Sequence, residues 1–324
     1  MARKKTRKAS PLPPRGGLGA SRVRLPGSEP VAAWEFISRV IAEQRYRDPL
    51  DDAAALHERF TRGEVVLRDA TPLAPDSVIE PGTDVYFYRR PAPEAPVPFE
   101  IETVYEDDTI LVVRKPPFLA TMPRAAHITE TATVRLRRST GNEELTPAHR
   151  LDRLTSGLLL LTKRQELRGA YQELFARREV RKLYEAIAPD IGIKAPTVWR
   201  HHILKEHGEI ASRIVERAEP NAETLLRDVQ RLETLDSTDG PIARYLLEPH
   251  TGRTHQLRVQ MMAAGAPIIG DNIYPVIHPF GEEDFDRPLL LASVGLEFTD
   301  PITGVQRCFT TPGISGLDYE WPSQ

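Results

Sequence analysis

The chain has almost no cysteine: Cys308 is the only one in 324 residues. No intrachain disulfide can form, and neither can a site built from several thiolates. No apolar run reaches the roughly 18 residues that a membrane-crossing helix needs, and no apolar signal-peptide core follows the basic start. A cytoplasmic protein is the simplest reading. An excess of one charge is also missing. The 43 Lys and Arg against 46 Asp and Glu leave a net charge of −3, so the chain is not uniformly basic. There is no H-E-x-x-H and no G-x-S-x-G. His201, His202 and His207 fit no common ligand spacing, because adjacent residues on a strand face opposite sides. No metal and no cofactor is signalled.

What is present is unevenly placed. The length leaves room for two domains, and 40% hydrophobic content supports a core. The 29 prolines suit a loop-rich chain. Residues 1–28 carry Arg3, Lys4, Lys5, Arg7, Lys8, Arg15, Arg22 and Arg24 without an acid, and are expected to be a disordered basic arm. From His149 to Lys182 bases again outnumber acids. That stretch is either a polyanion site or a solvated helix face.

Periodicity predicts a helix over 30–46, with Trp34, Ile37 and Ile41 on one face, and a short helix over 51–61. Strand character follows at 64–67 and 83–88. Residues 29–92 are expected to form a small accessory domain. The Pro-rich segment 91–98 marks a boundary, with the main domain over 93–324. Within it, strand–turn–strand is expected around Glu106-Asp107-Asp108. Helices are expected over 129–140, with Arg135, Arg137 and Arg138 exposed, over 164–176 and over 254–264. Strands are expected over 158–162, 180–187, 243–248, 289–292 and 295–298. This order is not a clean βαβ alternation and implies an α+β fold with a mixed sheet.

The most informative stretch is HRLDRLTSGLLLLTK, residues 149–163. Asp152 lies between Arg150 and Arg153, just before a turn and a buried strand. Opposite charges favour an ionised carboxylate. Taken alone, the arrangement is more often an ion pair at a turn than a reactive group. The whole string HRLDRLTSG resembles the signature of the RluA family of RNA pseudouridine synthases, with Leu154 where Asp is commonest. The R-K-x-Y element at 181–184, TGRTHQLRVQM at 251–261 and the Lys-Pro ending Leu111–Pro116 extend the resemblance over residues 100–312. The segment FTRGEVVLRDATPLAPDSVIEPGTDVYFYR resembles the second half of an S4-type RNA-binding module.

The resemblance implies a largely antiparallel sheet flanked by helices, and conversion of uridine to pseudouridine in structured RNA by a monomer, without a cofactor. Ribosomal RNA is favoured over transfer RNA by the S4-like segment. Asp152 carries over as the carboxylate directed at ribose C1′. Tyr184 carries over as the ring against the base, and Arg258 as the partner of Asp152, within about 2.7–2.9 Å of it. Arg150 would enter the space left by a flipped nucleotide. Leu257 would wall the base, and Arg153, Arg253 and His255 are further substrate or backbone contacts. Taken singly, Tyr184 could be a core strand tyrosine, Arg258 a surface helix arginine and His255 a structural hydrogen-bonding group.

The chain departs from the common pattern at Arg114, Phe118, Thr121-Met122-Pro123, Leu291 and Asp300-Pro301. The alternative function is a binding-only relative of the same fold, but the set Asp152, Tyr184 and Arg258 argues against it.

Overall fold

A computed structural model describes residues 10–232, 240–278 and 283–316. The chain forms two compact units, residues 1–96 with 123–143, and residues 97–122 with 144–324. In the first unit, β1 (Ser21–Arg24), β3 (Val65–Leu67) and β5 (Asp84–Phe87) form a sheet in the order β1-β5-β3, and β2 (Val31–Ala32) pairs with β4 (Val78–Ile79). Helix α1 (Ala33–Ala42) buries Phe36, Ile37 and Ile41. Helix α2 (Ala53–Thr61) is capped by Asp52, whose carboxylate accepts the Ala55 amide at 3.0 Å. These faces close a core with Leu56, Phe60, Val85 and Phe87.

Helix α3 (Ala132–Thr140) also belongs to this unit, although the sequence reading placed it in the main domain. Thr131 caps it and Gly141, at φ +68°, ends it. Of its three arginines only Arg138 is exposed; Arg135 and Arg137 are half-buried.

The expected basic arm needs correction. Residues 1–9 lie outside the described residues, but the rest is ordered. Ser21–Arg24 is a sheet strand. The Gly16 and Gly17 carbonyls accept from Arg138 (2.7 Å) and Arg137 (3.1 Å), and Leu12 and Leu25 are buried. Tertiary hydrogen bonds to glycine carbonyls order a segment whose composition has little to bury.

In the second unit a ten-stranded sheet runs β11-β14-β15-β10-β16-β9-β7-β6, with β17 on β16 and β8 on β9. Its strands are β6 (Glu102–Glu106), β7 (Ile110–Lys115), β8 (Thr146–Pro147), β9 (Ser156–Thr162), β10 (Arg181–Pro189), β11 (Thr197–His201), β14 (Ala222–Leu232), β15 (Ile242–Pro249), β16 (Leu291–Thr299) and β17 (Gln306–Thr310). A separate ribbon pairs β12 (Ile203–Leu204) with β13 (Arg213–Ile214). All pairings are antiparallel except β9 with β16, which makes the sheet mixed and largely antiparallel, as expected. Two strands anticipated over 289–298 are one continuous β16.

Helix α4 (Arg168–Ala176) turns Tyr171 and Leu174 onto Leu158, Leu160 and Phe298. Helix α5 (Gln256–Ala263) starts two residues later than expected, because His255 takes a left-handed φ of +57°. Among the described residues no helix is long and apolar enough to cross a membrane.

Candidate active site

Asp152 stands in the loop between β8 and β9, and its neighbours fix that loop. The Thr155 amide donates to the Asp152 carbonyl at 3.1 Å. Thr121 Oγ1 donates to the Leu151 carbonyl (2.8 Å) and accepts its amide (3.1 Å). His149 Nε2 accepts the Leu160 amide at 3.1 Å, and its ring stacks on Phe175 with centroids 4.3 Å apart. Burial, with the Lys182 charge, pushes this imidazole down to about 3, so it stays neutral and serves as an acceptor.

Lys115, at the end of β7, is fully buried. Its ammonium donates to the carbonyls of Pro116 (2.8 Å), Leu119 (2.8 Å) and Arg153 (3.1 Å). Burial lowers its pKa to about 7, and the Asp152 charge opposes that fall. Three carbonyls take all three protons of an ammonium, so the geometry favours the charged form.

Downstream of Asp152 the parallel register sets Gly157 against Ser293. A Cβ on Gly157 would lie 2.1 Å from the Ser293 oxygen, and its φ of +101° is open only to glycine.

Asp152 is half-buried and lines an open cleft of about 130 Å³. It is the one acid in that lining, beside Arg150, Lys182, Arg253 and Arg258. Among the described residues the carboxylate has no hydrogen bond and no ion pair. Tyr184 reaches the same cleft from β10, where the pairing with β16 shifts register between Leu183 and Tyr184. Burial pushes its phenol up to about 12, with the Asp152 charge adding to the rise. Lys182, two residues earlier, donates to the Thr251 carbonyl at 3.0 Å, and burial lowers its pKa to about 8.

Two expectations need correction. Arg258 does not pair with Asp152. Its Nε and Nη2 donate to Asp271 Oδ2 (2.7 Å) and Oδ1 (2.6 Å), and both side chains are buried. A carboxylate nearby on its own chain segment satisfies both prongs, so only the through-space attraction of Asp152 reaches the guanidinium. Arg153 is not in the cleft at all. It donates to the Phe118 carbonyl at 3.3 Å and forms an ion pair with Glu283. Asp152 therefore keeps one flanking arginine on the cleft. That residue, Arg150, is exposed and has no carboxylate partner among the described residues.

The other anticipated residues do line the cleft. Leu257 is buried within it. Arg253 Nε donates to the Asn221 carbonyl at 3.1 Å. His255 Nδ1 lies 3.1 Å from Tyr274 Oη. Because Tyr274 donates its proton to the Ser212 carbonyl (3.0 Å), the imidazole is the donor in this contact. Burial lowers the His255 pKa to about 4, so the ring is neutral at pH 7.

Sequence reasoning missed Asp271, Tyr274 and Gln256. Gln256 ties together Thr251 (2.7 Å), the Arg253 amide (3.0 Å), the Glu223 carbonyl (3.0 Å) and Thr224 (2.9 Å). The available signal for Asp271 was a lone acid just after the apolar Ile268-Ile269.

The profile of a family described as RNA pseudouridylate synthase matches residues 109–263. The dual-specificity RNA pseudouridine synthase RluA of Haemophilus influenzae is 32% identical over 216 residues, covering 64% of this chain and 91% of that protein. The chain belongs to the RluA family of RNA pseudouridine synthases. The ribosomal large subunit pseudouridine synthase D of Neisseria meningitidis serogroup B is 28% identical over 77% of this chain and 69% of its own length. The solved structure of human RNA pseudouridylate synthase domain containing 1 superposes with a TM-score of 0.53 at 26% identity, covering 69% of this chain and 89% of that one. As a member of the family, the chain is an isomerase that converts uridine to pseudouridine in RNA.

Two departures from the common RluA-family pattern acquire a setting. Phe118, at a usual glycine position, holds a φ of +64°, and its ring packs between Phe99 (6.2 Å) and Phe285 (5.1 Å). That burial offsets a left-handed cost of about 1–2 kcal/mol. Leu291, where histidine is common, lines the cleft itself.

Proposed function

We propose that Asp152 is the carboxylate that attacks or stabilises ribose C1′ of an everted uridine. The carrying observation is its setting, an unpartnered carboxylate in an open cleft whose other charged groups are all cationic. Such a group is free to meet a developing oxocarbenium centre. The N1–C1′ bond breaks, the detached base turns, C5 bonds to C1′, and the C5 proton leaves while N1 gains one. Tyr184 packs against the base and relays the C5 proton. Its phenol is protonated in the free enzyme. Capture of the sugar by Asp152 removes one of the charges that hold its pKa up, which eases that relay. Arg258, fixed by Asp271, supplies a directed positive charge near Asp152. Arg150 takes the place vacated by the flipped nucleotide, and Lys182 and Arg253 grip phosphate. Leu257 walls the base. Arg153, tied to Glu283, has no direct part.

The substrate we favour is ribosomal RNA. In support, similarity to a ribosomal large subunit synthase extends over 77% of this chain, more than the catalytic unit alone. The enzyme acts as a monomer in the cytoplasm, where that RNA is made accessible.

The test is tritium release from RNA labelled at uridine C5, comparing wild type with Asp152→Ala and Asp152→Asn. Wild type should release tritium and both variants should fall to background. A variant that keeps wild-type release removes Asp152 from the mechanism.

A further inference from the structure

The first unit has a concavity of its own, about 570 Å³, framed by the chain around residues 15–21, 44–46, 88–91 and 123–138. Arg45, Arg89 and Arg138 line it, and the lining contains no acid. Other arginines of this unit pair with carboxylates, one of them in the groove lining: Arg15 pairs with Glu64, Arg22 with Asp84 and Arg90 with Asp48. Among the described residues Arg45, Arg89 and Arg138 have no carboxylate partner. Three guanidiniums without a carboxylate line one groove, and Arg138 also donates to the Gly16 carbonyl at 2.7 Å.

The groove also offers flat surfaces. Tyr46 is 42% exposed, with the Arg45 guanidinium 5.3 Å from its ring centre. Tyr88 lies under Arg15 at 4.1 Å.

We infer that this groove binds a single-stranded segment of the RNA substrate, with phosphates on the three arginines and a base against Tyr46. Arginine with an exposed aromatic ring is the usual chemistry for unstacked nucleotides. An acidic peptide would satisfy the charges but would leave the aromatic surface unused. The inference rests on the RNA substrate proposed above, but it concerns binding and not the isomerisation.

The experiment measures binding of a fluorescent short oligocytidylate to the full-length protein at several salt concentrations. This ligand contains no uridine, so turnover plays no part. The double variant Arg45→Ala/Arg89→Ala should bind about tenfold or more weakly, with a log–log salt slope shallower by roughly 1.4, two phosphate contacts' worth. Tyr46→Ala should weaken binding about tenfold, as loss of one stacking platform does. Tritium release by Asp152→Ala is read apart from oligomer binding by the arginine double variant, which separates failure of the groove from failure of the catalytic assignment. Wild-type affinity in the double variant overturns the inference. So does polyglutamate that displaces the probe as well as unlabelled oligocytidylate does. If a variant melts early, ultraviolet crosslinking of wild type decides. Adducts on Tyr46 or Tyr88 support the groove, and adducts confined to residues 149–184 and 251–258 overturn it.

Discussion

Arg258 and Asp271 form a buried, two-pronged ion pair, with Nε to Oδ2 at 2.7 Å and Nη2 to Oδ1 at 2.6 Å. Asp271 Oδ1 also accepts the amides of Ile273 (2.8 Å) and Tyr274 (3.0 Å). One carboxylate therefore fixes both an arginine on α5 and the turn that carries Tyr274. Removing it should strand a buried guanidinium, which costs about 3–5 kcal/mol. Asp271→Ala is expected to lower the urea midpoint accordingly. Asp271→Asn keeps an acceptor for the turn, so it should cost less stability while still slowing tritium release. Wild-type stability in Asp271→Ala would show that the pair does not form.

Gly157 is the second position where geometry leaves no alternative. Alanine there must take a φ of +101° and place its Cβ 2.1 Å from a backbone oxygen of β16. Side-chain motion cannot relieve a clash with backbone. Gly157→Ala is expected to cost about 3 kcal/mol or more, from combined strain and overpacking. An unchanged denaturation midpoint would mean that β9 and β16 do not meet in this register.

These two residues also mark how far the sequence could be read. The glycine sits inside the motif that resembles the family, so its importance was legible, but its cause, a parallel crossing of β9 and β16, was not. That pairing joins segments about 135 residues apart and leaves no local period. Asp152, Tyr184, Arg258 and Leu257 were singled out because the motif names them, and the structure gathers all four in one cleft. The Arg258 partner was misassigned: the resemblance carried over Asp152, and nothing local marked Asp271, 13 residues on, as the carboxylate within reach. Arg153 was misplaced for a similar reason. Adjacency to Asp152 in sequence says nothing about Glu283, far along the chain. The long strand Ala222–Leu232 was missed because its outer half is polar and exposed, so the apolar alternation that announces a strand fades.

Tyr184→Phe separates packing from proton transfer. The ring is retained, so RNA affinity and stability should stay near wild type. If the hydroxyl relays the C5 proton, the single-turnover rate should fall by about 10²–10⁴-fold, the usual worth of a general acid–base group. A full rate in Tyr184→Phe would leave the residue with a packing role alone.

Lys182 gives the cleft a pH dependence whose sign can be worked out. Burial and the Arg178 charge lower its pKa from 10.5 to about 8. It is a cation below that pH and neutral above it, so its attraction for phosphate is present at pH 7 and lost as pH rises through about 8. RNA affinity should decline between pH 7 and 9, and the log–log salt slope should become shallower by about 0.7–0.9, one phosphate contact. Arginine stays charged throughout this range. Lys182→Arg should therefore flatten the profile on the same RNA, which also controls for titration of the nucleic acid. Parallel profiles for wild type and Lys182→Arg would place the titrating group elsewhere.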